Sequence, residues 1–159
     1  MPRKFERSKG ALRVREVSVT YVSPPSPTSV VTEASFAAEV FACHFDTTRQ
    51  VQELLMAMFL DSRGRLIAVE ALYRGTVNSA LVGTRDVLRS ALMLNAVSFV
   101  LAHLHPSGDP EPSAEDLVFT RKLGEAARQL EINLHDHLVL GVTAEGGVRF
   151  VSFRQRGLI

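Results

Sequence analysis

Apolar and polar residues along this chain follow two rhythms, and the switches between them mark out its elements. Residues 12 to 22 place Leu12, Val14, Val17, Val19 and Tyr21 between polar neighbours, with one slip in phase, and predict a strand. Pro24, Pro25 and Pro27 follow among serines, so residues 23 to 29 form a loop. Thr32 opens a helix whose apolar stripe is Ala37, Val40 and Phe41, extending toward a partly buried His44, with Cys43 beside it as an inert core thiol. Residues 54 to 60 are almost continuously apolar, the mark of a strand buried on both faces. Asp61-Ser62-Arg63-Gly64 turns into a second strand over 65 to 73. Thr84 or Asp86 begins a helix that ends near Asn95, and residues 96 to 102 are a short apolar strand. The next helix starts at Ser113 and reaches about Leu130, with Leu117, Phe119, Leu123, Ala126, Ala127 and Leu130 on its apolar face. Residues 139 to 141 and 148 to 153 flank Gly146-Gly147, a hairpin signal. Strands and helices are mixed, so the class is α/β or α+β, and there are no internal repeats.

The strand over 96 to 102 runs directly into His103-Leu104-His105-Pro106-Ser107-Gly108, and Ser113 and Asp116 follow. Two histidines flanking one residue leave the same face of an extended segment. Asp116 comes eleven residues after His105, beyond a Pro/Gly-rich turn that can bring its carboxylate back to the imidazoles. Two imidazoles and one carboxylate are the ligand set of a catalytic zinc site, which keeps a position open for water. The same residues have a second, purely structural reading. Ser113 suits a helix N-cap, and Glu115 and Asp116 suit a first turn, where the helix dipole favours negative charge. A helix start is also a good place to fix a ligand, so the two readings are compatible. His135-Asp136-His137 repeats the H-x-H spacing, but no carboxylate follows at the right distance and no Gly/Pro turn presents it. Asp136 and His137 are read as hydrogen-bonding residues at a strand start. Arg74, Thr76 and Asn78 follow the second strand, as cleft-lining residues or as ordinary loop positions.

Composition narrows the setting. The 159 residues suit one domain with a sizeable core. The single cysteine allows no disulfide within the chain, which points to a reducing, cytoplasmic setting. No apolar run approaches the length of a membrane span, and the basic N-terminus lacks the apolar core of a secretory signal. The formal net charge of +1 excludes little. Its distribution is uneven, because Arg3, Lys4, Arg7, Lys9, Arg13 and Arg15 face only Glu6 and Glu16 in residues 1 to 16. That arm is a solvated tail or a weak nucleic-acid contact.

The string from His103 to Asp116 resembles the metal motif of the JAB/MPN (JAMM) metalloprotease-like fold, and in detail it is similar to the RadC family. RadC proteins typically carry H-N-H-P-S-G-D-P-x-P-S-x-x-D, where this chain has H-L-H-P-S-G-D-P-E-P-S-A-E-D. The likeness extends through Phe59-Leu60-Asp61, Gly75-Thr76-Val77, residues 85 to 96 and Asp136-His137-Leu138, and covers roughly residues 50 to 159. Leu104 stands where the family usually has Asn, a position that points away from the metal if its neighbours point toward it.

The resemblance implies a three-layer fold with a mixed sheet between helices, formed by residues 30 to 159. Residues 1 to 29 then precede it as an arm, strand and Pro/Ser-rich loop, unlike the helical N-terminal region of longer RadC proteins. It implies one Zn²⁺ per chain on His103, His105 and Asp116. It also implies a zinc-dependent hydrolase of peptide or isopeptide bonds. In that family a glutamate ahead of the first buried strand is the base, which matches Glu53. Glu70, on the second strand with Leu66, Ala68 and Leu72, is the competing glutamate. Ser113 matches the serine that hydrogen-bonds the tetrahedral oxyanion. The partner implied is a peptide or protein substrate, with no membrane. Two other readings stand beside this one: a DNA-associated accessory protein of DNA repair or mobile elements, and a non-catalytic MPN binding scaffold. Oligomeric state is left open.

Overall fold

The structure is a computed structural model that describes residues 30–45, 52–75, 83–143 and 145–159. The expected strand over 12 to 22, the basic arm, Thr76 and Asn78 lie outside the described residues. Among the described residues, three helices and five strands follow in the order α1 (Ala34–Phe45), β1 (Glu53–Leu60), β2 (Leu66–Gly75), α2 (Thr84–Met93), β3 (Ser98–His105), α3 (Ala114–Gln129), β4 (Asn133–Val142) and β5 (Val148–Ser152). The strands form one sheet in the order β2-β1-β3-β4-β5. β3 and β4 are parallel, and the other neighbours are antiparallel. The parallel step is the one that needs a crossover, and α3 supplies it.

Alternation along β1 and β3 divides the core into two layers. Leu54, Met56, Met58 and Leu60 of β1 pack with Val100, Ala102 and Leu104 of β3 and with Ala37, Ala38 and Phe41 of α1. Leu55, Ala57 and Phe59 pack with Phe99 and Leu101, and with Val87, Ala91, Leu123 and Ala127 of α2 and α3. The result is α1, sheet, then α2 with α3: a mixed sheet between helices, as the resemblance implied. β1 is buried along almost its whole length because both faces are covered, which is why it reads as an unbroken apolar run.

Several local expectations are corrected. Cys43 and His44 are both exposed, so Cys43 is no core thiol and His44 is not partly buried. The stripe of α1 that meets the sheet is Ala37, Ala38 and Phe41, which turns its C-terminal residues 43 and 44 toward solvent. Leu130 caps α3 and is 44% exposed rather than part of its apolar face. β4 begins at Asn133, six residues before the expected start at 139. The polar run His135-Asp136-His137 hid it. His135 sits at a register shift, where Leu134 pairs with Phe99 and Asp136 with Val100. Arg74 lies within β2 rather than after it, opposite Leu54, and therefore on the α1 side of the sheet.

Candidate metal centre

His103 and His105 come off the last residues of β3, on the face that carries Phe99 and Leu101, under α3. Leu104 between them is 1% exposed and packs on the α1 side. The position where the family has Asn therefore points away from the histidines, as alternation required. Glu53 opens β1 on the same side, one residue before Leu54, which pairs with Leu104. Two antiparallel strand ends thus bring Glu53 beside the histidine pair. Glu70 pairs with Ala57, four residues further along β1 from Glu53, on the outer strand of the sheet.

Asp116 arrives from the third side, on the first turn of α3. The helix starts there because Ser113 is its N-cap: the Asp116 amide donates to Ser113 Oγ at 3.1 Å. Asp116 replies through its Oδ2, which accepts from the Ser113 amide at 2.8 Å and from the Ser113 hydroxyl at 2.6 Å. This reciprocal cap is a capping box with aspartate in the role usually taken by glutamate. It leaves Oδ1 free to face His103 Nδ1 at 2.8 Å, while Oδ2 lies 3.6 Å from His105 Nε2.

The turn between β3 and α3 is fixed from below. Gly108 adopts φ +80°, and a Cβ there would come within 2.7 Å of the Val142 carbonyl. A Cβ on Gly141, at the end of β4, would collide with the Gly108 carbonyl. Only glycine at both positions lets the turn lie flat on the strand end. Arg149 of β5 donates to the Gly108 carbonyl at 3.0 Å, and Arg156 pairs with Glu111 through both guanidinium nitrogens. The turn in turn holds His105, whose Nδ1 lies 2.9 Å from the Asp109 carbonyl. A carbonyl only accepts, so Nδ1 carries a hydrogen, and Nε2, on the Asp116 side of the ring, is the nitrogen left for a proton or a metal.

The charges fit a cation. His103 faces Asp116 through Nδ1 and Glu53 Oε2, at 3.4 Å, through Nε2. A neutral imidazole donates from one nitrogen only, so holding both carboxylates calls for a positive charge, a proton or a metal. Burial opposes ionisation of Asp116, but hydrogen bonds from His103, His105 and Ser113 outweigh it and hold the carboxyl well below the usual carboxylate range. The hydrogen bond with Asp116 raises His105, against burial, with help from the Asp109 carbonyl. The ligand atoms of His103, His105 and Asp116 all lie within 4.8 Å of one another, so the group could hold a metal ion. Two imidazoles and a carboxylate, half-buried and with one His already tethered through its other nitrogen, suit Zn²⁺.

Asp136 and His137 both form hydrogen bonds, but from within β4 rather than from its start, and on opposite faces of the sheet. Asp136 is buried and accepts from the His137 and Arg154 amides and the Ser152 hydroxyl, which ties β4 to the turn after β5. His137 reaches α3 through Thr120, at 2.6 Å. Thr120 and Gly141 were missed in the sequence. Thr120 stands one helical turn after Asp116 and is a polar residue in the buried stripe of α3, a signal that spacing alone carries.

A mixed sheet between helix layers, with a His-x-His strand end facing a carboxylate at a helix start, defines a JAB-like domain. The chain matches the RadC-like JAB domain over residues 31–158 and belongs to that family. A UPF0758 protein of Stenotrophomonas maltophilia (strain R551-3) is 50% identical over 110 residues, covering 69% of this chain and 45% of that protein. A UPF0758 protein of Roseiflexus castenholzii (strain DSM 13941 / HLO8) is 41% identical over 127 residues, covering 80% and 50%. One of Pseudoalteromonas translucida (strain TAC 125) is 46% identical over 108 residues, covering 68% and 46%. The chain spans about half the length of the curated relatives it matches. Among the described residues no helix is long and apolar enough to cross a membrane.

Proposed function

We propose that this chain is a zinc-dependent hydrolase of the JAMM type, acting on a peptide or isopeptide bond. One Zn²⁺ would be held by His103, His105 and Asp116. The observation that carries the reading is the placement of Glu53: its carboxylate reaches the same imidazole that Asp116 holds from the opposite nitrogen. A catalytic zinc site pairs three protein ligands with an open position for water, and a carboxylate beside that set but outside it is placed to act on the water. When bound, zinc lowers the pKa of its water toward neutrality and polarises the scissile carbonyl.

The chain's own residues supply the rest. Glu53, with its side chain 18% exposed, can accept a proton from water and return it to the leaving amine. Its position at the first residue of β1 keeps it at the mouth of the site rather than in the core. Ser113 lies beside Asp116, and turning its hydroxyl hydrogen from Asp116 Oδ2 toward the substrate would provide the oxyanion donor. The Ser113 amide still holds Asp116 Oδ2 when that happens, so the ligand keeps one of its two tethers.

Elemental analysis of the purified chain, followed by cleavage of a peptide library with and without chelator, tests this reading. Stoichiometric zinc and chelator-sensitive cleavage are expected. Zinc without cleavage would favour the scaffold reading, and no zinc in the wild-type protein, or full zinc retention in His103→Ala, would end the metal assignment.

A further inference from the structure

His137 is fully buried, stacked at 4.6 Å on Phe153, and takes no part in the site as described above. Its ring lies on the same face of the sheet as the histidine pair. It is paired in register with Leu101, two residues before His103. The Nδ1 atom is 2.6 Å from Thr120 Oγ1, and that oxygen is 2.6 Å from the Asp116 carbonyl. Two oxygens this close need a hydrogen between them, so the threonine hydroxyl donates to the carbonyl. Its oxygen must then accept from His137, which fixes the hydrogen on Nδ1. Nε2 is left bare, buried and without a hydrogen-bond partner among the described residues.

That arrangement is a poor one for stability alone. A phenylalanine at 137 would keep the stack on Phe153 and bury no unpaired nitrogen. What only the histidine supplies is the Nδ1–H, which leads through one hydroxyl to the backbone of a metal-ligating residue. We propose that His137 is a positioning residue for the metal centre, acting through Thr120 to fix the first turn of α3, and with it Asp116, against the end of β3. This inference rests on the zinc reading above. The link seats the turn from the sheet side, where the capping box with Ser113 seats it from the helix side. Burial favours the neutral ring that this role requires.

Zinc affinity by chelator competition, on the full chain, measures the effect of Thr120→Val, His137→Phe and His137→Asn. Partners that orient ligands typically change metal affinity by about 10–100-fold. Thr120→Val and His137→Phe should each weaken zinc by that much, and the double variant no further, because both break one link. His137→Asn keeps an N–H at the δ position and should recover most of the affinity. The denaturation midpoint of His137→Phe should stay at or above that of wild type, which a merely structural histidine would not allow. In metal-free protein, ¹⁵N spectra of the ring should show Nδ1 protonated and Nε2 bare. Wild-type affinity in both Thr120→Val and His137→Phe, or a proton on Nε2, would overturn the inference while leaving the zinc reading intact. A wild-type chain that binds no zinc would overturn both.

Discussion

Two residues of the site combine a structural and a chemical task, and each can be split by substitution. Glu53 is the simpler case. Its carboxylate touches His103 at 3.4 Å, and the grouped ligand atoms come from His103, His105 and Asp116 without it. Glu53→Gln keeps size and hydrogen bonding but removes the basic oxygen. It should retain stoichiometric zinc and lose turnover by about 10²-fold or more, the usual weight of a general base. Paired metal analysis and kinetics would decide. Loss of zinc in the variant would make Glu53 a ligand, and full turnover would return attention to Glu70. Ser113 is more entangled, because its hydroxyl accepts from the Asp116 amide and donates to the Asp116 carboxylate. Ser113→Ala should therefore cost about 1 kcal/mol in denaturant unfolding, the worth of an N-cap. It should also lower turnover by about 10²-fold or more through the lost oxyanion donor. A variant that loses only the stability would leave the serine as a cap. Aspartate at this position is not a neutral way to restore the cap, since it would set a second carboxylate against Asp116 Oδ2.

At the level of elements, the site is a meeting of three ends: the start of β1, the end of β3 and the start of α3. What aligns them is the flat seating of the turn over residues 106 to 112 on the end of β4. Gly141 is the contact that permits it. Gly141→Ala would drive a methyl group into the Gly108 carbonyl and toward Pro110, both backbone, so the turn must lift. Overpacking of this kind costs roughly 1–3 kcal/mol. The displaced turn carries the Asp109 carbonyl that orients His105, so zinc affinity should fall along with stability. Chelator competition and denaturation on the same variant would show it, and unchanged zinc binding would mean that His105 is oriented by something else. Most of these elements were legible in the sequence because their periods were clean. β1 showed itself by continuous burial, α3 by its stripe and by the serine at its cap, and the β4–β5 hairpin by Gly146-Gly147. The first six residues of β4 were not legible. Their polar side chains do their work inside the protein, Asp136 toward the turn after β5 and His137 toward α3, and a buried polar run has the same appearance in one dimension as an exposed one. The ligand set was legible through its spacing, but the glycine contact that seats it joins residues 108 and 141, and no local pattern records a contact of that range.

Across the whole molecule, buried histidine makes stability depend on pH in a direction that can be derived. Burial pushes His137 down to about 3 from its ordinary 6.5, with the nearby His103 adding to the effect. Between those two values the unfolded chain binds a proton that the folded chain refuses. Stability attributable to this group is therefore complete above pH 6.5 and declines as the pH falls toward 3, by about 1.4 kcal/mol per unit at most. His135, lowered by burial and by Arg154, acts in the same direction. His105 is raised by Asp116 and acts in the opposite one, adding stability as the pH falls through its folded value. Asp116, depressed below the carboxylate range, gives up its contribution only below about 4, where ordinary carboxylates titrate. The difference between wild type and His137→Phe removes the terms that the two proteins share. Urea unfolding of the metal-free proteins from pH 7 to pH 4 should show wild type losing stability more steeply, with the two curves separating as the pH drops below 6.5. Parallel curves over that range would mean that His137 is protonated in the folded protein, and that the buried ring is held by a charge interaction rather than by the neutral Nδ1–H link to Thr120.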